Sequence, residues 1–204
     1  MSSCRRSEPE TPSSCIPRSA AVCASPAAAV RTCTASVTSS SGSRDGGFAD
    51  FVLVTERSLL KLPGGLDPGA VAPHADAGIT AYHAVRRLAH LSVPGTTAVV
   101  LGVGGVGHVA LQLVRELGSS VVIAIDSNEE RRRLAGELGA DWVLGGDEGT
   151  VSAVRDLTSG RGADLVFDFV GTDQTHADSM SMLAPLGTYS IVGYQAGCRC
   201  PRPA

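Results

Sequence analysis

The chain has 204 residues, of which 43% are hydrophobic, and a formal net charge of −3 at pH 7. This length and apolar content can fill one domain and part of another. The acidic balance, with no basic run longer than Arg131–Arg133, excludes the broad basic surface of a nucleic-acid-binding protein. The longest apolar run, residues 98–111, contains four glycines and is shorter than the roughly 20 residues of a membrane span. We therefore expect neither nucleic acid nor a membrane as a partner.

The two ends of the chain, residues 1–45 and 195–204, lack the patterns of folded elements. The first aromatic residue is Phe48, and no helical or alternating periodicity precedes it. All six cysteines lie in these two ends, at spacings that match neither a disulfide framework nor a zinc ribbon. We predict an unstructured N-terminal segment and a disordered C-terminal tail.

The middle of the chain predicts a regular succession of strands and helices. Residues 46–76 give short apolar runs and a loop rich in proline and glycine, and residues 77–88 carry helical apolar spacing. From Thr96 onward, apolar strands alternate with helices. Because these strands have no polar face, the predicted fold is α/β, with a doubly wound parallel sheet. The predicted strands lie near residues 98–101, 121–125, 142–144, 165–169 and 189–192, and the helices near 105–117, 129–138, 151–157 and 174–183.

A glycine turn joins the first of these strands to its helix. Gly102, Gly104 and Gly107 form a G-x-G-x-x-G pattern between an apolar strand and an amphipathic helix. In that context the first glycine makes the turn, the second lets a pyrophosphate approach the backbone, and the third lets the helix pack closely on the strand. Together with Gly105 and Val106, these glycines are predicted to bind a dinucleotide. A structural turn without a ligand is the alternative.

Asp126 ends the second strand of this unit, 19 residues after Gly107. A carboxylate at this place can accept hydrogen bonds from both ribose hydroxyls of an adenosine, which predicts NAD rather than NADP. Arg131 or Arg132 could move in to neutralise a 2′-phosphate, which would favour NADP. Asp126 could also serve as the N-cap of the helix that begins at Glu129.

Several motifs together resemble one protein family. The stretches GGFADFVLV, LPGGLDP, DAGITAYHAV, GVGGVGHVALQL, GADLVFDFVG and YSIVGY are similar to the medium-chain, zinc-dependent alcohol dehydrogenases, in particular bacterial NAD-dependent members. The resemblance covers residues 46–194. It implies an incomplete NAD-binding Rossmann domain over residues 77–194, next to a remnant of a GroES-like β catalytic domain over residues 46–76.

The resemblance also implies roles for matching residues. Thr80 would be a catalytic-site residue beside the nicotinamide, and Asp76 would be one ligand of the catalytic zinc. From the residues alone, Asp76 is instead an N-cap for the helix that follows it. Asp168, at the end of a strand, is expected to structure the cleft rather than to titrate. The positions that would line the cofactor at its nicotinamide end are Val170, Ile191, Val192 and Gly193.

The activity implied by the resemblance is reversible oxidation of a primary or secondary alcohol to an aldehyde or ketone, with NAD as hydride acceptor. The family is also zinc-dependent, cytoplasmic and homo-oligomeric. The chain, however, contains neither the family's GHE motif nor a cysteine in the place of the first zinc ligand. Because a catalytic zinc needs three protein ligands, we expect this chain not to bind it and to be inactive on its own.

The two ends can be interpreted as out-of-frame translations of family sequence. Shifted by one base, the codons of Ala21, Ala24, Ala27 and Ala35 can encode Cys-x2-Cys-x2-Cys-x7-Cys, the spacing of the family's structural-zinc lobe. Residues 1–45 would then be a remnant of that lobe. Two alternative functions remain open: a zinc-independent quinone or enone reductase of the same superfamily, and a non-catalytic NAD-binding module.

Overall fold

A computed structural model describes residues 19–23, 50–55 and 59–194, of which residues 19–23 and 51–55 are described by their backbone alone. The out-of-frame interpretation of both ends and the disordered tail therefore concern segments that lie, apart from residues 19–23, outside the described residues. The chain divides into two compact units, Met1–Pro68 and Gly69–Ala204. None of the helices in the described part of the chain combines the length and apolarity that a bilayer-spanning helix requires.

The described residues of the first unit form an antiparallel strand pair, β1 (Ser19–Cys23) and β2 (Phe51–Thr55). Ser19 pairs with Thr55, and Cys23 pairs with Phe51. Strand β1 lies within the segment that the sequence predicts to be unstructured. Its five residues contain no glycine or proline, so they can pair with β2, whose Phe, Val, Leu and Thr residues favour a strand. Local periodicity does not show a pairing between segments so far apart in the chain.

Two helices precede the main sheet. Helix α1 (Pro68–Val71) spans the boundary between the units and continues into a 3-10 turn (Ala72–Ala75). Helix α2 (Ala77–Leu88) follows at the place predicted from its apolar spacing. It buries Ala81, Ala84 and Val85, and a second 3-10 turn (Ala89–Leu91) leads towards the first strand of the sheet.

The second unit is built on a parallel sheet of five strands, in the order β5-β4-β3-β6-β7. This order confirms the predicted doubly wound α/β fold, because the chain crosses from one half of the sheet to the other after β5. The strands are β3 (Thr97–Leu101), β4 (Val121–Ile125), β5 (Trp142–Leu144), β6 (Ala163–Asp168) and β7 (Leu183–Ile191). The helices between them are α3 (Gly107–Leu117), α4 (Glu129–Glu137), α5 (Thr150–Leu157) and α6 (Asp173–Met182).

The hydrophobic core lies on both faces of this sheet. On one face, Val85 of α2, Leu111 of α3 and Ala135 of α4 pack against alternate strand residues such as Val100. On the other face, Val154 of α5 and Met182 of α6 pack against the remaining set. All five residues of β3 are buried, which explains why its sequence shows no polar alternation.

The last two strands differ from the predicted ranges. Strand β6 begins at Ala163 rather than near residue 165, and β7 begins at Leu183 rather than near residue 189. Leu183 already pairs with Ala163, and an irregularity follows before Thr188 pairs with Leu165. Within this irregular stretch Leu186 adopts a φ of 64°. The proline and glycine around Leu186 favour a loop, so the sequence pattern places the strand too late.

Candidate functional site

The carboxyl ends of the parallel strands meet at one edge of the sheet, and the predicted cofactor residues follow them there. Gly102 comes directly after β3, and its amide donates to the Ile125 carbonyl of β4 at 2.8 Å. Phe169 comes directly after β6, and its amide donates to the Leu101 carbonyl at 2.8 Å. These bonds place the loops that follow β3, β4 and β6 side by side. In doubly wound sheets, ligands bind at such an edge where the strand order reverses.

The three glycines of the turn have different surroundings. Gly102 has a φ of +87°, and a Cβ placed on it would lie 2.6 Å from Cγ2 of Val170. A Cβ on Gly107 would overlap the carbonyl group of Gly102. A Cβ on Gly104, in contrast, would have Nη1 of Arg131 as its nearest neighbour, at 3.9 Å. The turn therefore requires Gly102 and Gly107 for its own packing, whereas Gly104 leaves the backbone open on its outer side.

Backbone amides of the turn are free at this open side. The Val103 amide donates to Oδ2 of Asp126 at 2.8 Å, but no described residue accepts a hydrogen bond from the amides of Gly104, Gly105 or Val106. Helix α3 begins at Gly107, and Val106 at its N-cap position makes no side-chain capping bond. The positive end of the α3 dipole and these amide donors together suit an anion such as a phosphate.

Asp126 faces the turn from the end of β4 and is only 6% exposed. Its Oδ2 accepts from Val103, and its Oδ1 accepts from the Asn128 amide at 2.9 Å. Each oxygen keeps further acceptor capacity. The alternative role of Asp126 as a helix N-cap is wrong, because Asn128 caps α4 by accepting from the Arg131 amide at 3.1 Å. Two further residues are needed to turn the chain from β4 into α4.

The two candidate phosphate-binding arginines are placed differently. Arg131 has a half-exposed side chain whose Nη1 lies 3.8 Å from Oδ2 of Asp126. Arg132 uses its Nη1 to donate to the backbone carbonyls of Asp126 and Ser127, at 3.0 and 2.8 Å. Arg132 is therefore occupied by backbone acceptors. Of the two, Arg131 is the guanidinium that lies next to both the carboxylate and the glycine turn.

The residues predicted at the nicotinamide end lie on the other side of the turn. The Val170 side chain packs against Gly102, and the amides of Val192 and Gly193 donate to the Asp168 carbonyl at 2.8 and 2.9 Å. Gly171 and Gly193 approach so closely that a Cβ on Gly171 would overlap the Gly193 carbonyl group. The structure thus brings these residues together with the glycine turn, next to Ile191 at the end of β7.

Asp168 organises this side of the edge, as its position in the sequence suggests. It is fully buried, and its carboxylate accepts from two backbone amides and from the hydroxyls of Thr175 and Tyr189. Sequence reasoning missed these two hydroxyl donors. The Thr172-x-x-Thr175 spacing at the start of α6 is a capping-box pattern that could have indicated Thr175. Nothing local indicates Tyr189, which reaches Asp168 from the neighbouring strand β7.

Asp76 and Thr80 stand apart from this group in the described contacts. Thr80 is half-buried in α2, and its amide donates to the Asp76 backbone carbonyl at 2.9 Å. Asp76 occupies the N-cap position of α2, but its exposed side chain makes no capping hydrogen bond, so the prediction of a side-chain cap is wrong. Within the described residues, no group of three or more His, Cys, Asp or Glu side chains could hold a metal ion. Those residues do not fit a catalytic zinc, which needs three protein ligands.

Comparison with known proteins gives consistent matches. Residues 105–200 match the family model described as zinc-binding dehydrogenase. The chain is 39% identical over 156 residues to an NAD-dependent alcohol dehydrogenase of Sulfolobus acidocaldarius, a match that covers 75% of this chain and 44% of that relative. It is 34% identical over 155 residues to a D-arabinose 1-dehydrogenase (NADP(+)) of Saccharolobus solfataricus, which covers 74% of this chain and 44% of that relative.

A solved structure supports the same relationship. The alcohol dehydrogenase of the hyperthermophilic archaeon Aeropyrum pernix is 42% identical, with a TM-score of 0.72, over 77% of this chain and 46% of that one. This chain therefore spans somewhat less than half the length of the relatives it matches.

The strand order, the glycine turn and the acidic residue at the end of β4 define the nucleotide-binding domain of a dehydrogenase. The family match and the relatives specify the class further. The chain belongs to the medium-chain, zinc-type alcohol dehydrogenase family. The family resemblance of the sequence motifs is thereby confirmed.

Proposed function

We propose that this chain binds NAD and is the coenzyme-binding part of an NAD-dependent alcohol dehydrogenase. One observation carries the proposal. The amides of Gly104, Gly105 and Val106, from which no described residue accepts a hydrogen bond, lie at the N-terminus of α3, and the buried Asp126 carboxylate lies next to them at the same sheet edge. Donors for a diphosphate and an acceptor for a ribose are the two groups that a dinucleotide requires.

The proposed placement of the cofactor follows from the strand order. The diphosphate lies over the glycine turn after β3, where Gly104 offers the open backbone face. The adenosine ribose lies towards β4, so that its hydroxyls donate to Asp126. The nicotinamide lies towards β6 and β7, along Val170 and Ile191–Gly193. This orientation uses every cofactor position predicted from the sequence, and Thr80 of α2 is proposed to face the nicotinamide.

We propose that NAD is preferred over NADP because of Asp126. A 2′-phosphate in place of the ribose 2′-hydroxyl would face a buried carboxylate that already holds two backbone amides. Arg131 gives the site one nearby positive charge, while Arg132 is engaged with carbonyl groups. The preference for NAD over NADP is argued from Asp126 and not from the relatives, because those named above include one NAD-dependent and one NADP(+)-dependent dehydrogenase.

The proposed reaction is hydride transfer between an alcohol and NAD, in which NAD supplies the hydride acceptor. The residues of this chain bind and orient the coenzyme, and the described residues do not provide a ligand set for a metal. Asp76 remains a proposed single zinc ligand of the family site.

Gly104→Ala in the full chain tests the coenzyme site. The added methyl group meets nothing closer than 3.9 Å, so the fold should be unchanged, but it points into the space proposed for the diphosphate. We expect the dissociation constant for NADH, measured by calorimetric titration, to rise by about tenfold or more. Gly136→Ala in α4 is the matched control, because a Cβ there also meets no neighbour, and it should leave the affinity unchanged. Equal NADH affinity of Gly104→Ala and wild type would refute the proposed site.

A further inference from the structure

We propose that Asp168 is a positioning residue for the coenzyme. It would set the geometry of the nicotinamide wall, by which we mean the two loops formed by residues 169–171 and 192–193. Asp168 has no exposed surface, so it acts through these loops and does not touch the ligand. The inference rests on the proposed function, because it assigns a role within the same site.

The carboxylate of Asp168 connects three separate elements. Oδ1 accepts from the amides of Val170 and Gly171, at 2.8 and 2.9 Å, and so holds the first loop of the nicotinamide wall. Oδ2 accepts from the Thr175 hydroxyl of α6 at 2.8 Å and from the Tyr189 hydroxyl of β7 at 2.9 Å. Hydrogen bonds are stronger in a buried environment than in water, so four donors on one buried carboxylate hold its orientation firmly.

The backbone carbonyl of Asp168 holds the second loop. It accepts from the amides of Val192 and Gly193, at 2.8 and 2.9 Å. One residue therefore fixes both loops of the nicotinamide wall. The loops also pack tightly on each other, and Val170 packs on Gly102 of the glycine turn. A small rotation of Asp168 would thus move the wall relative to the turn that receives the diphosphate.

The two hydroxyl donors fix the orientation of the carboxylate. Thr175 lies in the first turn of α6, where it also forms a capping box with Thr172. Tyr189 lies in β7, with its ring centroid 5.4 Å from that of His176. Removing the Tyr189 hydroxyl takes one donor from Oδ2 but leaves both loop amides bonded to Oδ1. Tyr189→Phe therefore perturbs the orientation of Asp168 without removing any group of the nicotinamide wall.

The test compares two ligands that share the adenosine and diphosphate groups. ADP would occupy only the glycine turn and the Asp126 side, whereas NADH would also reach the nicotinamide wall. In the full chain, we expect Tyr189→Phe to raise the dissociation constant for NADH by about five- to tenfold and that for ADP by less than about twofold. Asp168→Asn should also weaken NADH binding more than ADP binding, and by a larger factor than Tyr189→Phe does.

A control variant separates positioning from loss of stability. Thr158→Val is the control for Tyr189→Phe, because it also removes a hydroxyl group that makes hydrogen bonds inside the protein. The buried Thr158 hydroxyl donates to the Val154 carbonyl and accepts from the Gly162 amide. These contacts lie just before β6, at the opposite end of that strand from Asp168. Thr158→Val should lower the free energy of unfolding yet leave the ratio of NADH to ADP affinity at the wild-type value. Urea unfolding of each variant confirms that the titrated protein is folded.

The outcomes distinguish the inference from the proposed function. If wild type binds both ligands and Tyr189→Phe weakens them equally, or weakens neither, the positioning role of Asp168 is refuted while NAD binding stands. If wild type binds neither NADH nor ADP, the proposed function fails and the inference fails with it. A selective loss of NADH affinity in Tyr189→Phe that Thr158→Val does not reproduce supports the inference.

Discussion

Gly102→Ala should destabilise the second unit, because the backbone conformation of Gly102 and its close contact with Val170 both disfavour a Cβ. Gly102 has a φ of +87°, and in that region a residue with a Cβ costs about 1–2 kcal/mol. The new Cβ would also lie 2.6 Å from Cγ2 of Val170, and overpacking of this kind costs about 1–3 kcal/mol. The smaller entropy of the unfolded alanine chain offsets about 0.4–1 kcal/mol of this loss. We expect a net loss of about 2–3 kcal/mol in the free energy of unfolding.

The assay is urea unfolding followed by the fluorescence of Trp142, the single tryptophan, which is 51% exposed on β5. Gly104→Ala, two residues along the same turn, is the matched variant, and its unfolding free energy should change by less than about 0.5 kcal/mol. The midpoint should fall for Gly102→Ala with the slope unchanged. If Gly102→Ala proves as stable as Gly104→Ala, the assignment of a packing role to Gly102 and an open face to Gly104 is wrong.

Two further substitutions test other parts of the account. Leu186→Gly should raise the free energy of unfolding by about 0.5–1 kcal/mol, because glycine adopts the φ of 64° seen at Leu186 without strain. The Leu186 side chain is fully exposed, so its removal costs no buried apolar surface. An unchanged or lower urea midpoint would contradict this prediction. Asp126→Asn should shift the ratio of NADH to NADPH affinity towards NADPH by about tenfold, because it removes the charge that opposes a 2′-phosphate. Titration with both coenzymes measures this ratio, and a constant ratio would show that Asp126 does not set the preference.

The elements that the sequence predicted well are those marked by a pattern in their own residues. The predicted ranges of β4 and β5 coincide with the structure, since each is an apolar run bounded by turn residues. Helix α3 begins at Gly107, because the residues before it are used by the glycine turn. Strand β1 was not predictable, because it depends on pairing with a strand that is distant in the sequence, and the early start of β7 was missed because the proline and glycine around Leu186 favour a loop.

The candidate site shows the same division between local and long-range signals. The glycine turn and Asp126 were indicated by their spacing together with the strand and helix patterns around them, and the structure brings them together through the Val103 amide. The spacing could not tell that Asn128, rather than Asp126, caps α4. The two hydroxyl donors to Asp168 come from a helix and a neighbouring strand, and of these only Thr175 has a local signal, so the contact from Tyr189 is revealed by the folded chain alone. The roles of Asp76 and Thr80 remain predictions.

Calorimetric titration of the full wild-type chain with NADH and with NADPH measures whether this sheet edge is an NAD site. We expect saturable binding of one NADH per chain, with an affinity about tenfold or more above that for NADPH. Absence of NADH binding, or an equal or higher affinity for NADPH, would contradict the proposal that this sheet edge is an NAD site.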